Sequence, residues 1–301
     1  MHIKDLGKGL LPDPPDPRDY KLEEIIAAPV VDWSKEVMLP DIEDFDQVSS
    51  DACGAVSSSF YHEQLISKVF SKRDLFSRTA LVYGSYARDN IMQIVSFGHA
   101  DKNEIPDPDS PNPQNMRDKT GTAAHLRIDD RELDGYSMPA YSIDYIAYCV
   151  ANFKGCVFGV YGDNAGWQDY ANPKPPKVHE WGHLIYAQGY HLHGGQKCII
   201  AKSSWYPKSS TIKYHHIKED YFKSDTMSPW VIIPRKELEM KLVNDNGTYF
   251  LEGEKGKIGI ADMPFLTALR AITDKEEIRA SVGPQIKVVE TAANTFVIKD
   301  K

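Results

Sequence analysis

Apolar positions recur at helical spacing in the first half of the chain and in short β-type runs in the second. From Cys53 to about Lys72, Val56, Phe60, Ile66 and Val69 predict a helix. A second helix is predicted from Ser77 to Val95, carrying Leu81, Tyr83, Tyr86 and Ile91, and a third over residues 141–153. Beyond Gly155 the period changes. Residues 157–161, 183–187, 197–201 and 230–234 read as short strands, most of them separated by glycines. The Gly194-Gly195 pair joins the second and third of these as a hairpin, which would bring His183 and Ser203 side by side. Helices first and strands second predict an α+β domain with a helical half and a sheet half.

The pattern also divides the chain. Residues 1–29 carry Pro12, Pro14, Pro15 and Pro17, which forbid a helix and favour an extended arm on the surface. Residues 30–234 form the main domain, interrupted by a proline-rich loop over 101–118. Residues 235–301 read as a separate small module. It has β-type runs at 248–251, 257–260 and 286–298 and a predicted helix at 263–272.

At 301 residues the chain is long enough to bury a sizeable core. Its 42% apolar and 26% charged residues are ordinary for a globular protein. A net charge of −8 without a basic block argues against nucleic acid as a partner. No run reaches the ~20 apolar residues of a membrane span, and the first ten residues lack the apolar core of a signal peptide. A cytoplasmic or virion-associated location is therefore expected. The four cysteines, at 53, 149, 156 and 198, show no disulfide or zinc-knuckle spacing, so free thiols are expected. Cys149 and Cys156 sit among apolar neighbours and read as core.

Cys53 differs from them because it opens a helix. The positive end of the helix dipole favours a thiolate there. Gln47, six residues earlier, is an amide placed to donate a hydrogen bond to an oxyanion forming beside the sulfur. A cysteine nucleophile needs a base, and His183, opening a strand after Gly182, is the candidate. Ser203 follows at the end of the next strand, two residues before Trp205. The segment His179-Glu180-Trp181-Gly182-His183 also matches the zinc-peptidase letters H-E-x-x-H. That chemistry needs a helix, and Pro173, Pro175, Pro176 and Gly182 oppose one, so no metal is assigned. His191, His193, His215 and His216 read as exposed polar positions.

These residues together resemble the papain-like cysteine peptidases, in particular a bacterial and phage branch without a large pro-segment. Asp46-Gln47 precedes Cys53 at that family's spacing, and Gly182-His183-Leu184 with Gly189-Tyr190 matches its histidine strand. Ser203-Ser204-Trp205-Tyr206 aligns with its Asn-Ser-Trp-Gly motif. Gly155-Cys156-Val157-Phe158-Gly159-Val160 resembles its central strand, and residues 11–20 resemble the leader of the bacterial branch. His183 and Ser203 lie within the ~130–150 residues downstream of the cysteine that form part of the known family signature. The resemblance implies a two-lobed papain-like fold over residues 30–234 and a cysteine peptidase without cofactor. Cys53 is the implied nucleophile, His183 the base and Ser203 the group orienting the imidazole. Gln47 and the Cys53 N–H form the implied oxyanion hole. Trp205 is expected to shield the third residue, with Gly182 lining the site. The substrate is a peptide or protein, cell-wall peptide being one candidate.

Three departures bear on activity. Ser203 stands where the family has asparagine, Gly54 replaces an aromatic after the nucleophile, and Asp51 places a carboxylate two residues from the thiol. A negative charge there raises a thiol pKa. The alternative reading is a weak or inactive papain-like module in a structural role, such as a phage-particle component. Residues 235–301 would then serve as the element contacting an assembly partner.

Overall fold

The computed structural model describes residues 7–24, 26, 29–118, 133–139, 141–205 and 213–234, together with the backbone of five strands between 240 and 300. It divides into two compact units, Met1–Ile233 and Pro234–Lys301.

The first unit is built around α1 (Cys53–Ile66), which is buried on every side from Cys53 to Gln64. Gly54, Ala55 and three successive serines keep this helix narrow enough to run through the interior. Ser57 Oγ donates to the Leu184 carbonyl at 2.8 Å, and Ser59 Oγ donates to the Ala55 carbonyl at 2.8 Å. The helix stops at Ser67, which turns left-handed at φ 60° and donates its N–H to Glu63. The apolar pattern alone predicts continuation to about Lys72. In the fold, α2 (Lys72–Thr79) starts afresh, its cap Ser71 accepting the Asp74 N–H at 3.0 Å.

The helix predicted over 77–95 is likewise interrupted. A turn at Leu81–Gly84 and the two-residue strand β3 (Ser85–Tyr86) separate α2 from α3 (Ala87–Phe97). Gly84 has φ +64° and its Cα faces the Gly9 carbonyl, where no side chain fits. Within the predicted loop, Pro113–Arg117 forms one helical turn, α4. The third predicted helix is α5 (Ile143–Phe153), capped by Ser142.

The other half is an antiparallel sheet. Its order is β4 (Leu133–Ser137), β9 (Thr226–Pro234), β5 (Cys156–Gly162), β6 (Trp181–His193), β7 (Gln196–Lys202) and β8 (Tyr214–Lys218), with β2 (Val37–Met38) added to β6. Gly194 and Gly195, at φ +59° and +80°, make the two-residue turn between β6 and β7 that the sequence indicated. The helical group and the sheet meet in one core in which α1 packs on β6. Among the described residues this is an α+β arrangement with no closed barrel.

The arm is not a loose appendage. Leu10 and Leu22 are buried, and β1 (Leu10–Leu11) pairs in parallel with β3. Asp13 accepts the Trp230 indole N–H at 2.7 Å, so the proline-rich stretch is fastened to β9. Proline excludes a helix, but leucines flanking the prolines anchor the extended chain.

In the second unit the strands β10 (Met240–Asp245), β11 (Thr248–Gly253), β12 (Gly256–Gly259), β13 (Ile286–Glu290) and β14 (Phe296–Asp300) form one sheet in the order β12-β11-β10-β14-β13. The helix expected at 263–272 lies outside the described residues. Among the described residues no helix is long and apolar enough to cross a membrane.

Candidate active site

Cys53 is the first residue of α1, following Ala52, which offers no side-chain cap. The first amides of a helix lack intrahelical partners, so N–H dipoles gather around this sulfur. Burial nevertheless dominates and pushes the thiol up to about 11. Backbone amides of Leu184, Gly9 and Gly54 oppose that rise, and the Asp51 charge adds to it, as expected from the sequence. Asp51 is itself paired with Arg117 and accepts the Gly84 N–H at 2.8 Å, which fixes it on the helical side of the site. Gly54 is explained by contact: a Cβ there would lie 2.4 Å from Ser85 Oγ and 2.7 Å from the Asn90 amide.

His183 lies on β6 next to Leu184, whose N–H faces the sulfur and whose carbonyl is tied to Ser57. Its ring is fully buried and stacks on Trp205, with centroids 3.7 Å apart and planes inclined by 15°. Burial, with the charges of His215 and Lys8 nearby, holds its pKa well below the usual imidazole range. Its Nδ1 is buried without a hydrogen-bond partner among the described residues.

The two serines differ in what they touch. Ser203 Oγ donates to the Trp205 carbonyl at 2.7 Å and accepts the Trp205 N–H at 3.0 Å, closing a turn onto itself. The hydroxyl facing the imidazole is that of Ser204, 3.4 Å from His183 Nε2, and it donates to Gln47 Oε1 at 2.6 Å. Ser204 thus links the imidazole to the amide of Gln47, in the place that the motif alignment gives to its neighbour Ser203.

Gln47 is positioned by backbone and charge. Its N–H donates to the Ser204 carbonyl at 2.9 Å. The loop leading to it is held by Lys202, a buried lysine at the end of β7 that binds Asp41 at 2.8 Å and Asp44 at 2.5 Å. Such a buried cation is stable only with partners of this kind.

Around Trp205 stands an aromatic group not apparent in the sequence. Trp167 meets Trp205, Trp181 and His215 edge-on at 5.6, 5.3 and 5.0 Å. Asp163 holds the loop carrying Trp167, accepting the Lys177 N–H at 2.7 Å and that of Gly166. His215, expected to be exposed, is fully buried here and bonds the Tyr170 carbonyl through Nδ1 at 2.6 Å. Burial is the main force lowering its pKa to about 4.

A histidine protonated only below that value costs stability in acid. Between about pH 6.5 and 4 the unfolded chain binds this proton and the folded chain does not, so stability falls as pH falls through that window. Some 2.5 pH units correspond to roughly 3 kcal/mol. Urea midpoints should therefore drop between pH 7 and pH 4, and His215→Leu should flatten the profile. An unchanged slope in that variant would show that the acid sensitivity arises elsewhere.

The arm lies over all of this. The Gly7 carbonyl accepts from Gln47 Nε2 at 2.8 Å and from the Trp205 indole at 3.0 Å, while the Gly7 N–H donates to the Val48 carbonyl at 2.9 Å. Gly9 faces the Cys53 sulfur with its N–H, and its carbonyl accepts from the Ser85 N–H at 2.9 Å. The fit leaves no room for side chains: a Cβ would lie 1.5 Å from the Ser50 oxygen at Gly7 and 2.1 Å from the Asp51 oxygen at Gly9. Gly182 borders the Leu10 carbonyl in the same way, 2.6 Å from where its Cβ would be. Cys53, His183 and Gln47 are consequently all inaccessible.

The alternative zinc arrangement does not form. His179 precedes β6, stacks on Tyr161 and bonds Asp225 at 2.8 Å, whereas His183 is inside the strand, so the helix that H-E-x-x-H requires is missing.

No family model and no curated protein matches the sequence. Solved structures match its fold. Xylellain, a cysteine protease from Xylella fastidiosa, aligns with a TM-score of 0.62 at 20% identity, covering 77% of this chain and 97% of its own. The proform of the ragweed pollen cysteine protease Amb a 11 gives 0.55 at 18% identity, covering 71% and 70%. Digestive procathepsin L2 from Tenebrio molitor larval midgut gives 0.55 at 16%, covering 78% and 80%. The fold of this chain is therefore the papain-like fold of cysteine proteases.

Proposed function

We propose that the chain is a cysteine peptidase that acts by acyl transfer and is covered by its own residues 7–11. The observation that supports this reading most directly is the grouping of Cys53 at a helix start, His183 on the facing strand and Gln47 bridged to that histidine by Ser204. In the reaction, the Cys53 S–H proton passes to His183 and the sulfur attacks the peptide carbonyl carbon. The tetrahedral oxyanion is received by Gln47 Nε2 and the Cys53 N–H. The C–N bond then breaks as His183 returns the proton to the leaving amine. A water deprotonated by His183 hydrolyses the thioester and releases the acid product.

In this reading the same groups keep the covered form unreactive. The Gly7 carbonyl occupies the Gln47 amide, and burial keeps both sulfur and imidazole neutral at pH 7. Ser204 serves in this reading as the group orienting the imidazole, and Trp205 as the plane against which the ring is held.

Capture by a thiol-directed epoxide tests the reading. With the arm displaced, one equivalent should add to Cys53 and none to Cys149, Cys156 or Cys198, which are all buried. Peptide mapping that finds equal, slow addition at all four would overturn it.

A further inference from the structure

The sheet face opposite the aromatic group carries a second histidine cluster. His215 points into the aromatic group, and because neighbouring strand residues face opposite ways, His216 points to the other side of β8.

On that other side, His191 and His193 of β6 share one face, two residues apart. The register carries this face across the sheet: His191 pairs with Cys198 and His193 with Gln196 on β7, and Ile200 of β7 pairs with His216 of β8. The three imidazoles therefore converge over β7 from two strands that are not neighbours. His191 Nε2 lies 3.2 Å from His216 Nδ1, and ring centroids are 5.2 to 5.5 Å apart around the triangle. One nitrogen from each ring falls within 4.8 Å of the other two. All three residues are half-buried, not exposed as the sequence suggests, and solvent reaches the rim of the cluster.

We propose that His191, His193 and His216 form a binding site for a divalent transition-metal ion of the zinc class. Zinc bonds imidazole nitrogen at about 2.0–2.1 Å with tetrahedral geometry, which separates two ligand nitrogens by about 3.3 Å. The His191–His216 separation already has that value within a small adjustment. Three imidazoles satisfy three positions and leave the fourth for water on the exposed side. His183 lies eight residues from His191 along β6, about 26 Å at ~3.3 Å per strand residue. The ion would thus clip the far end of the β6–β7 hairpin to β8 and take no part in chemistry at Cys53. The sequence hid the site because its ligands converge only once the β6–β7–β8 register is set.

Titration of the full-length, tag-free chain with ZnCl2 in a calorimeter tests the proposal, with CoCl2 as a spectroscopic probe. The expected result is one ion per chain with micromolar or tighter affinity and the visible bands of tetrahedral cobalt. His193→Ala and His216→Ala should each weaken binding at least 30-fold, while His179→Gln, outside the cluster, should leave it unchanged. Far-ultraviolet circular dichroism reports whether each variant is folded. Should a variant unfold, His191→Gln supplies the same comparison with a closer substitute. Binding no tighter than millimolar, or affinity unchanged in folded His193→Ala and His216→Ala, would overturn the site.

Discussion

The double substitution Gly7→Ala/Gly9→Ala is expected to raise the rate of Cys53 alkylation at pH 7 by about a hundredfold or more. Each added methyl would sit within 2.1 Å of a backbone oxygen, of Ser50 at position 7 and of Asp51 at position 9. Backbone cannot yield as a flexible side chain does, so the arm must leave its groove. A hundredfold shift needs only ~2.7 kcal/mol. Its departure changes two things at once. Reagent reaches a sulfur that is otherwise inaccessible, and water returns to a thiol that burial holds at about 11. At that value about one sulfur in 10⁴ is thiolate at pH 7, against roughly 3% for an ordinary cysteine. With the arm in place, alkylation should climb with pH toward 11. With the arm displaced, it should already be fast near neutrality.

Iodoacetamide labelling followed by peptide mapping measures this directly. Cys149 and Cys156 serve as internal reporters of unfolding, since both are buried in the core. A synthetic peptide of residues 5–13 should restore slow labelling of the variant. Equal Cys53 rates in the variant and the parent chain, with the core cysteines protected in both, would show that the arm does not control access.

The sequence disclosed the parts of this site that have local signals. Cys53 opens an apolar helix, His183 opens a strand after glycine, and Gly194-Gly195 sets the hairpin that brings the end of β7 back beside it. It did not distinguish Ser203 from Ser204. Adjacent residues at a strand end face opposite ways, and the pairing of β6 with β7 shifts register between Ala187 and Gly189. A one-residue offset of that kind exchanges which hydroxyl meets the imidazole.

The docking of the arm was hidden for another reason. Gly7 meets Trp205 across 198 residues of sequence, and Gly9 meets Ser85 through backbone alone. Neither contact leaves a periodic pattern. Trp167 and His215 joined the site from a proline-rich loop and an outer strand, where their neighbours in sequence are polar. The break between α2 and α3 follows from the turn at Gly84, whose close approach to Gly9 is likewise a tertiary fact.

Among single substitutions, Cys53→Ala and His183→Ala should cause the largest losses of peptide hydrolysis, on the order of 10⁵–10⁶ in kcat once the arm is displaced. In the proposed cycle the sulfur forms the acyl bond and the imidazole moves every proton, so neither has a substitute. Ser204→Ala should cost far less, about 10-fold to 100-fold. Its hydroxyl only orients His183 and Gln47, and the ring stays stacked on Trp205. Ser203→Ala should change kcat little and stability by about 1 kcal/mol, because its hydroxyl closes the Trp205 turn without touching the imidazole. The ordering separates the two serines. Steady-state kinetics with a fluorogenic peptide, measured in the arm-displaced background across pH 5 to 9, provides the comparison. In Ser204→Ala the acidic limb of the profile should also move, since the group facing Nε2 is gone, whereas Ser203→Ala should leave it in place. A profile displaced by Ser203→Ala and untouched by Ser204→Ala would return the orienting role to Ser203.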